Sequence, residues 1–131
     1  MLLDTSGLVS VFDAGDPHHA EARGLVRSAP VLLTHSYVLA EFVALCHARR
    51  LNRARALAFA GDILTNTDVE VVWVARPLHS AALAFLRARP DKSYSLSDAV
   101  SFLLMRDWSL RDALTTDHHF DQEGFARLLK P

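Results

Sequence analysis

Pro30-Val31-Leu32-Leu33-Thr34-His35-Ser36-Tyr37-Val38-Leu39-Ala40-Glu41-Phe42-Val43-Ala44-Leu45 holds two kinds of structure in immediate succession. Val31 to Thr34 is a short apolar run opened by a proline, which reads as a buried strand. From about His35 to Arg50 the chain reads as one helix. Strand followed directly by helix is the repeating unit of a parallel sheet. Inside that helix stands Glu41, with apolar residues on both sides. A carboxylate there lies on the solvated edge of the helix or is partly buried with a partner, because a buried charge is costly unless paired or bound to metal.

The same alternation extends in both directions. Met1 to Asp4 reads as a short buried strand closing at a carboxylate, and Leu8 to Phe12 as a helical turn. Asp13-Ala14-Gly15-Asp16-Pro17 breaks the chain, and a helix is expected from about His18 to Ser28. Asn52 is a plausible N-cap for a helix running to about Leu64. Val69 to Val74 is the best strand by composition, being rich in β-branched residues. Pro77 opens a helix to about Arg89, and Ser95 to about Asp107 is helical. Ala113 to Thr116 reads as a strand ending at Asp117, and Phe125 to Leu129 as a last edge strand. Helices between strands imply a parallel sheet covered on both faces.

The 131 residues suit one domain, residues 1–131, with a real core. Half of them are hydrophobic and the formal net charge is -1, so there is no global electrostatic signal for nucleic acid. Any basic footprint is local: Arg49, Arg50, Arg53 and Arg55 cluster at a helix junction, where cations also suit a helix C-terminus. The single cysteine, Cys46, excludes a disulfide framework and a cysteine-based zinc site. With no long apolar run and no basic leader, the expectation is a soluble, cytoplasmic chain without a membrane partner.

Three further acids stand where Glu41 does, at the ends and edges of apolar elements: Asp4, Asp98 and Asp117. Each has an ordinary explanation. Asp4 can cap the helix that follows it. Ser95-Leu96-Ser97-Asp98 fits a capping box. Asp117 can cap the turn at His118. Glu41 can sit on a solvated helix edge. Taken together, four separated carboxylates suggest a site for a hard cation. Asp4 and Asp117, at expected strand ends, would share one edge of the sheet, where ligands of such folds gather. The adjacent pairs His18-His19 and His118-His119 should diverge on regular elements, and no H-x-x-x-H or H-E-x-x-H pattern occurs.

These residues carry a resemblance. Met1-Leu2-Leu3-Asp4-Thr5-Ser6-Gly7-Leu8 is similar to the opening of PIN domains, especially the VapC-type toxins of bacterial toxin–antitoxin pairs. Tyr37 to Glu41 resembles their second acidic motif, Ser95-Leu96-Ser97-Asp98-Ala99 the third, and Thr115-Thr116-Asp117-His118-His119-Phe120 the fourth. The order is right and spans the chain. The resemblance implies a three-layer α/β/α sandwich around a central parallel sheet. It also implies a Mg²⁺- or Mn²⁺-dependent endoribonuclease acting on RNA, paired with an antitoxin protein and forming a homodimer. Asp4, Glu41, Asp98 and Asp117 would be the catalytic, metal-binding acids, and Ser6 and Thr116 polar helpers through hydroxyl or backbone contacts. Some members carry a further acid two residues after the fourth; here that position is His119.

On that reading the reaction is in-line hydrolysis of a phosphodiester by water, with no covalent intermediate. The expected substrate is single-stranded or loop RNA, whose splayed backbone can reach a recessed ion. Arg49, Arg50 and Arg53 are candidate phosphate contacts. Two alternatives stay open at this level: a catalytically silent interaction module of the same fold, and a related DNA-directed nuclease.

Overall fold

The computed structural model describes residues Met1–Pro131. Five strands, β1 (Leu2–Leu3), β2 (Leu32–His35), β3 (Val69–Val72), β4 (Asp112–Leu114) and β5 (Ala126–Arg127), form one sheet in the order β3-β2-β1-β4-β5. Every pairing is parallel. Seven helices connect them: α1 (Thr5–Phe12), α2 (His19–Ser28), α3 (Ser36–Ala48), α4 (Arg53–Thr65), α5 (Arg76–Arg87), α6 (Leu96–Asp107) and α7 (His119–Gln122).

The strand period of two sorts neighbouring residues to opposite faces. Leu3, Leu32 and Leu114 join one core, filled by Leu8, Val9, Ala22, Val38, Phe42, Ala56 and Ile63 of α1 to α4. Leu2, Leu33 and Ala113 join the other, filled by Ala82, Phe85, Phe102, Met105 and Phe120 of α5 to α7. The result is the expected α/β/α sandwich. Fully burying one such Leu or Phe contributes roughly 1.5–3 kcal/mol, so the two cores together drive folding.

The expected elements are all present, with ends shifted by a residue or a few. Asn52 caps α4 as expected, accepting from the Arg55 amide at 3.0 Å. The strand with the strongest composition, β3, is an edge strand and only half-buried. The central strand is β1, two residues long and fully buried. β-branched residues suit a half-covered surface, whereas a strand buried on both faces needs only apolar bulk.

The chain lays β1, β2 and β3 side by side in one direction, then returns to place β4 on the other flank of β1. Strand order therefore reverses between β1 and β4, which leaves a crevice at their carboxyl ends. Gly7 permits close approach there: a Cβ on it would lie 1.9 Å from the Leu114 carbonyl oxygen. The start of α1 thus rests directly on the end of β4.

Candidate active site

A cleft of about 450 Å³ opens at that crevice, lined by Asp4, Glu41, Asp98 and Asp117 together with Ser6, Ser95, Thr116 and His119. Four elements deliver the acids. Asp4 follows β1, Glu41 projects from α3, Asp98 stands in the first turn of α6, and Asp117 lies in the segment between β4 and α7.

Asp4 and Asp98 are each only 6% exposed. Asp4 occupies the N-cap position of α1 but makes no side-chain cap bond there. Its carboxylate instead accepts from the Thr115 hydroxyl at 2.7 Å. Burial pushes the Asp4 carboxyl up to about 7, with the Thr115 hydrogen bond opposing and the negative charges of Asp98 and Glu41 adding to the rise. Burial also raises Asp98, against the lowering effect of the Ser95 amide.

Asp98 is a helix cap and a cleft residue at once. Its Oδ2 accepts from the Ser95 amide while Ser95 Oγ accepts from the Asp98 amide, each at 3.0 Å, which closes the capping box. Asp117 likewise accepts from the His119 amide at 2.9 Å, shaping the turn into α7. Glu41 is exposed, as a solvated helix edge requires, and its Oε1 accepts from Thr5 Oγ1 at 3.3 Å. The ordinary roles and the cleft-lining positions are compatible, because capping uses one carboxylate oxygen and leaves the group facing the crevice.

Behind the acids runs a directed hydroxyl chain. The Thr116 amide donates to Ser6 Oγ at 3.0 Å, and the Asp117 amide to Thr115 Oγ1 at 3.0 Å. Ser6 Oγ and Thr115 Oγ1 lie 3.1 Å apart. Because the Thr115 proton is committed to Asp4, Ser6 is the donor to Thr115. Ser6 thus takes its place in the site as a hydroxyl and Thr116 as a backbone amide. Thr115, fully buried beneath the cleft, was not among the expected site residues. A threonine in a strand is ordinary enough to carry no signal of its own.

His119, which the sequence presents only as a departure from the family's further acid, lines the cleft. Its Nδ1 lies 3.2 Å from Asp98 Oδ2 and 3.4 Å from Asp117 Oδ1, and Ser93 Oγ meets its Nε2 at 3.2 Å. The expectation that His118 and His119 diverge is overturned, since their ring centroids are 4.7 Å apart. They leave the chain at the irregular start of a one-turn helix, where side-chain directions are not those of a long regular element. Glu123, which looks unremarkable in sequence, anchors this corner. Its Oε1 accepts from Arg89 and Arg106, each at 2.8 Å, and its Oε2 from Tyr94 Oη at 3.0 Å.

Arg49, Arg50, Arg53 and Arg55 are exposed at the α3–α4 junction, outside the cleft lining. Arg49 follows Glu41 and Leu45 at spacings of four, on the same side of the helix and roughly 12 Å beyond Glu41 along its axis.

The donor set suits a hard divalent cation. All four acids line one cleft, and one of the two buried ones, Asp4, carries a proton affinity that a cation would relieve. A PIN-domain model matches residues 1–125. The chain belongs to the PIN-domain family. Among PIN proteins, the 23S rRNA-specific endonuclease VapC20 of Mycobacterium tuberculosis is 33% identical over 129 residues, covering 98% of this chain and 97% of that protein. The identity is the same for the protein of strains CDC 1551 / Oshkosh and ATCC 25618 / H37Rv. The crystal structure of M. tuberculosis VapC20, described as a sarcin–ricin loop cleaving toxin, is similar with a TM-score of 0.87 and 34% identity over 99% of this chain and 98% of that one. No helix of this PIN domain is long and apolar enough to cross a membrane.

Proposed function

We infer that the chain is a metal-dependent endoribonuclease, the toxin of a toxin–antitoxin pair, cutting an exposed loop of ribosomal RNA. The observation that carries this is the convergence of Asp4, Glu41, Asp98 and Asp117, from four elements, on one cleft at the switch between β1 and β4. The full-length likeness to a 23S rRNA endonuclease supports the substrate class.

Asp4, Glu41, Asp98 and Asp117 would hold Mg²⁺ or Mn²⁺, which supplies charge neutralisation at the phosphate and a lowered pKa for the attacking water. The rest is the work of the chain. Thr115 fixes the rotamer of Asp4, so the buried carboxylate keeps one oxygen toward the cleft. Ser95 does the same for Asp98. Water attacks phosphorus in line, the bond from phosphorus to O3′ breaks, and a proton passes to O3′, leaving a 5′-phosphate and a 3′-hydroxyl. The recessed cleft suits a splayed loop better than a paired duplex, whose phosphates are held at helical spacing. Arg49, with Arg50 and Arg53 beyond it, would receive phosphates flanking the cut. A small antitoxin would cover the acidic cleft or dock on nearby helices, and two copies of the chain would form the working dimer.

The test is cleavage of a hairpin bearing the sarcin–ricin loop sequence, beside a hairpin of scrambled loop and a single-stranded DNA of the same sequence. The reading expects cuts within the first RNA alone, with 5′-phosphate ends. Equal cutting of the DNA would move the substrate class, and inertness toward all RNA would reject the reading.

A further inference from the structure

Asp117, His118 and His119 place three ligand atoms within 4.8 Å of one another on the rim of the cleft. We propose that this triad is a second cation site, selective for a nitrogen-preferring divalent ion such as Zn²⁺ and distinct in chemistry from the all-carboxylate site beside it.

The geometry is close to what such an ion needs. Zinc binds nitrogen and carboxylate oxygen at about 2.0–2.2 Å, so a tetrahedral ion sets its ligand atoms about 3.3–3.6 Å apart. Asp117 Oδ1 lies 3.4 Å from His119 Nδ1 and 3.7 Å from His118 Nδ1. Both carboxylate–imidazole spacings are therefore within tenths of an ångström of the tetrahedral value, and the two imidazole nitrogens, within 4.8 Å of each other, close on the ion by rotation of the exposed His118 ring.

The surroundings fit as well. A metal-bound imidazole donates through its other nitrogen to a neighbouring acceptor, which fixes its tautomer. Ser93 Oγ stands 3.2 Å from His119 Nε2 and is free to accept that proton. On binding, Nδ1 gives up its contact with Asp98 Oδ2 to the ion. His118, 64% exposed in its side chain, gives access from solvent, whereas His119 at 16% is held from inside. The turn that starts α7 is what points both rings at one carboxylate. Imidazole is a poor ligand for Mg²⁺ and a good one for Zn²⁺, so the two neighbouring sites would select different ions.

The consequence for activity rests on the nuclease reading, whereas the site itself does not. Asp117 belongs to both donor sets. Zinc on the rim would draw Asp117 out of the carboxylate site and inhibit cleavage at ion levels far below those at which Mg²⁺ supports it.

Co²⁺ is the probe of choice, because its visible absorption reports nitrogen ligation. Tag-free protein is titrated with Co²⁺ in excess Mg²⁺, then with Zn²⁺. The expected result is one equivalent of Co²⁺ absorption, unaffected by Mg²⁺ and displaced by one equivalent of Zn²⁺. Binding should weaken at least tenfold in His118→Ala, an exposed substitution that leaves the fold intact, and persist in Asp4→Asn. Absence of the signal in the wild type overturns the proposal. So does a signal that survives His118→Ala but is lost in Asp4→Asn, since zinc would then occupy only the carboxylate site. A zinc site with no RNA cleavage would defeat the nuclease reading and leave this one standing.

Discussion

Thr115 donates its hydroxyl proton to Asp4 across 2.7 Å, joining residues 111 positions apart in the chain. The bond exists because β1 and β4 are hydrogen-bonded neighbours, with Leu3 opposite Leu114, so the residue after each strand meets its counterpart. Thr115→Val keeps the shape and removes the donor. Cleavage should fall on the order of 10–100-fold, the usual loss when a partner that orients a metal ligand is removed. Thr115→Ser should retain most of the rate. Initial rates at saturating Mg²⁺ separate the two, and equal loss in both would mean that the methyl group matters and the hydroxyl does not.

Gly7 and Gly24 should respond oppositely to alanine. A methyl group at Gly7 meets the Leu114 carbonyl at 1.9 Å, and backbone cannot step aside cheaply. Gly7→Ala should cost about 1–3 kcal/mol or more and open the β1–β4 crevice. At Gly24, inside α2, nothing lies within 4 Å. Gly24→Ala should stabilise by roughly 0.5–1 kcal/mol. Urea midpoints of the two variants check both signs.

Two buried groups give the metal-free protein opposite pH dependences. The Asp4 carboxyl, raised by burial to about 7 from 3.8, favours folding below pH 3.8, and that contribution is lost as pH rises through 7. His35, lowered by burial to about 4 from 6.5, contributes above pH 6.5, and that contribution is lost as pH falls through 4. Its bonds set the tautomer of the neutral ring: Nδ1 accepts from the Val38 amide at 3.4 Å, so Nε2 donates to Ser101 Oγ at 2.8 Å. In EDTA at pH 8, Asp4→Asn should be more stable than wild type by roughly 1–3 kcal/mol. Added Mn²⁺ should raise the melting temperature of wild type and not of the variant. A wild type more stable than Asp4→Asn in EDTA would contradict the burial argument.

Glu123→Gln should cost about 1–3 kcal/mol, because it removes the charge that satisfies Arg89 and Arg106 and leaves that corner underpaired. Glu123 lies outside the cleft lining. Cleavage at a temperature where the variant is folded should therefore be nearly normal. Thermal melts beside rate measurements at low temperature test the separation.

What the sequence discloses depends on whether a residue looks out of place. Asp4, Asp98 and Asp117 are legible because carboxylates at the ends of apolar elements are uncommon, and the structure puts all three with Glu41 at one cleft. Glu41 drew notice for its apolar neighbours, yet it is exposed: helical spacing turns Val38, Leu39, Phe42 and Cys46 inward and leaves Glu41 toward the crevice. Thr115 was illegible, because its role arises from strand order and not from local pattern. His119 was misread for the opposite reason, since a rule for regular helices does not govern the first residue of a single turn. The layers were legible from alternation, but the centrality of the two-residue β1 was visible only in its burial.

On the proposed function, cleavage requires the four carboxylates to act through a divalent ion. The deciding measurement is cleavage of the sarcin–ricin hairpin by wild type and by Asp4→Asn, Glu41→Gln, Asp98→Asn and Asp117→Asn, each shown to be folded, in Mg²⁺, Mn²⁺ and EDTA. The predicted result is cutting by wild type in Mg²⁺ or Mn²⁺, none in EDTA, and a loss of at least 100-fold in Asp4→Asn and Asp98→Asn, equivalent to about 2.7 kcal/mol of transition-state stabilisation. Undiminished cutting in EDTA, or by Asp4→Asn, would contradict it.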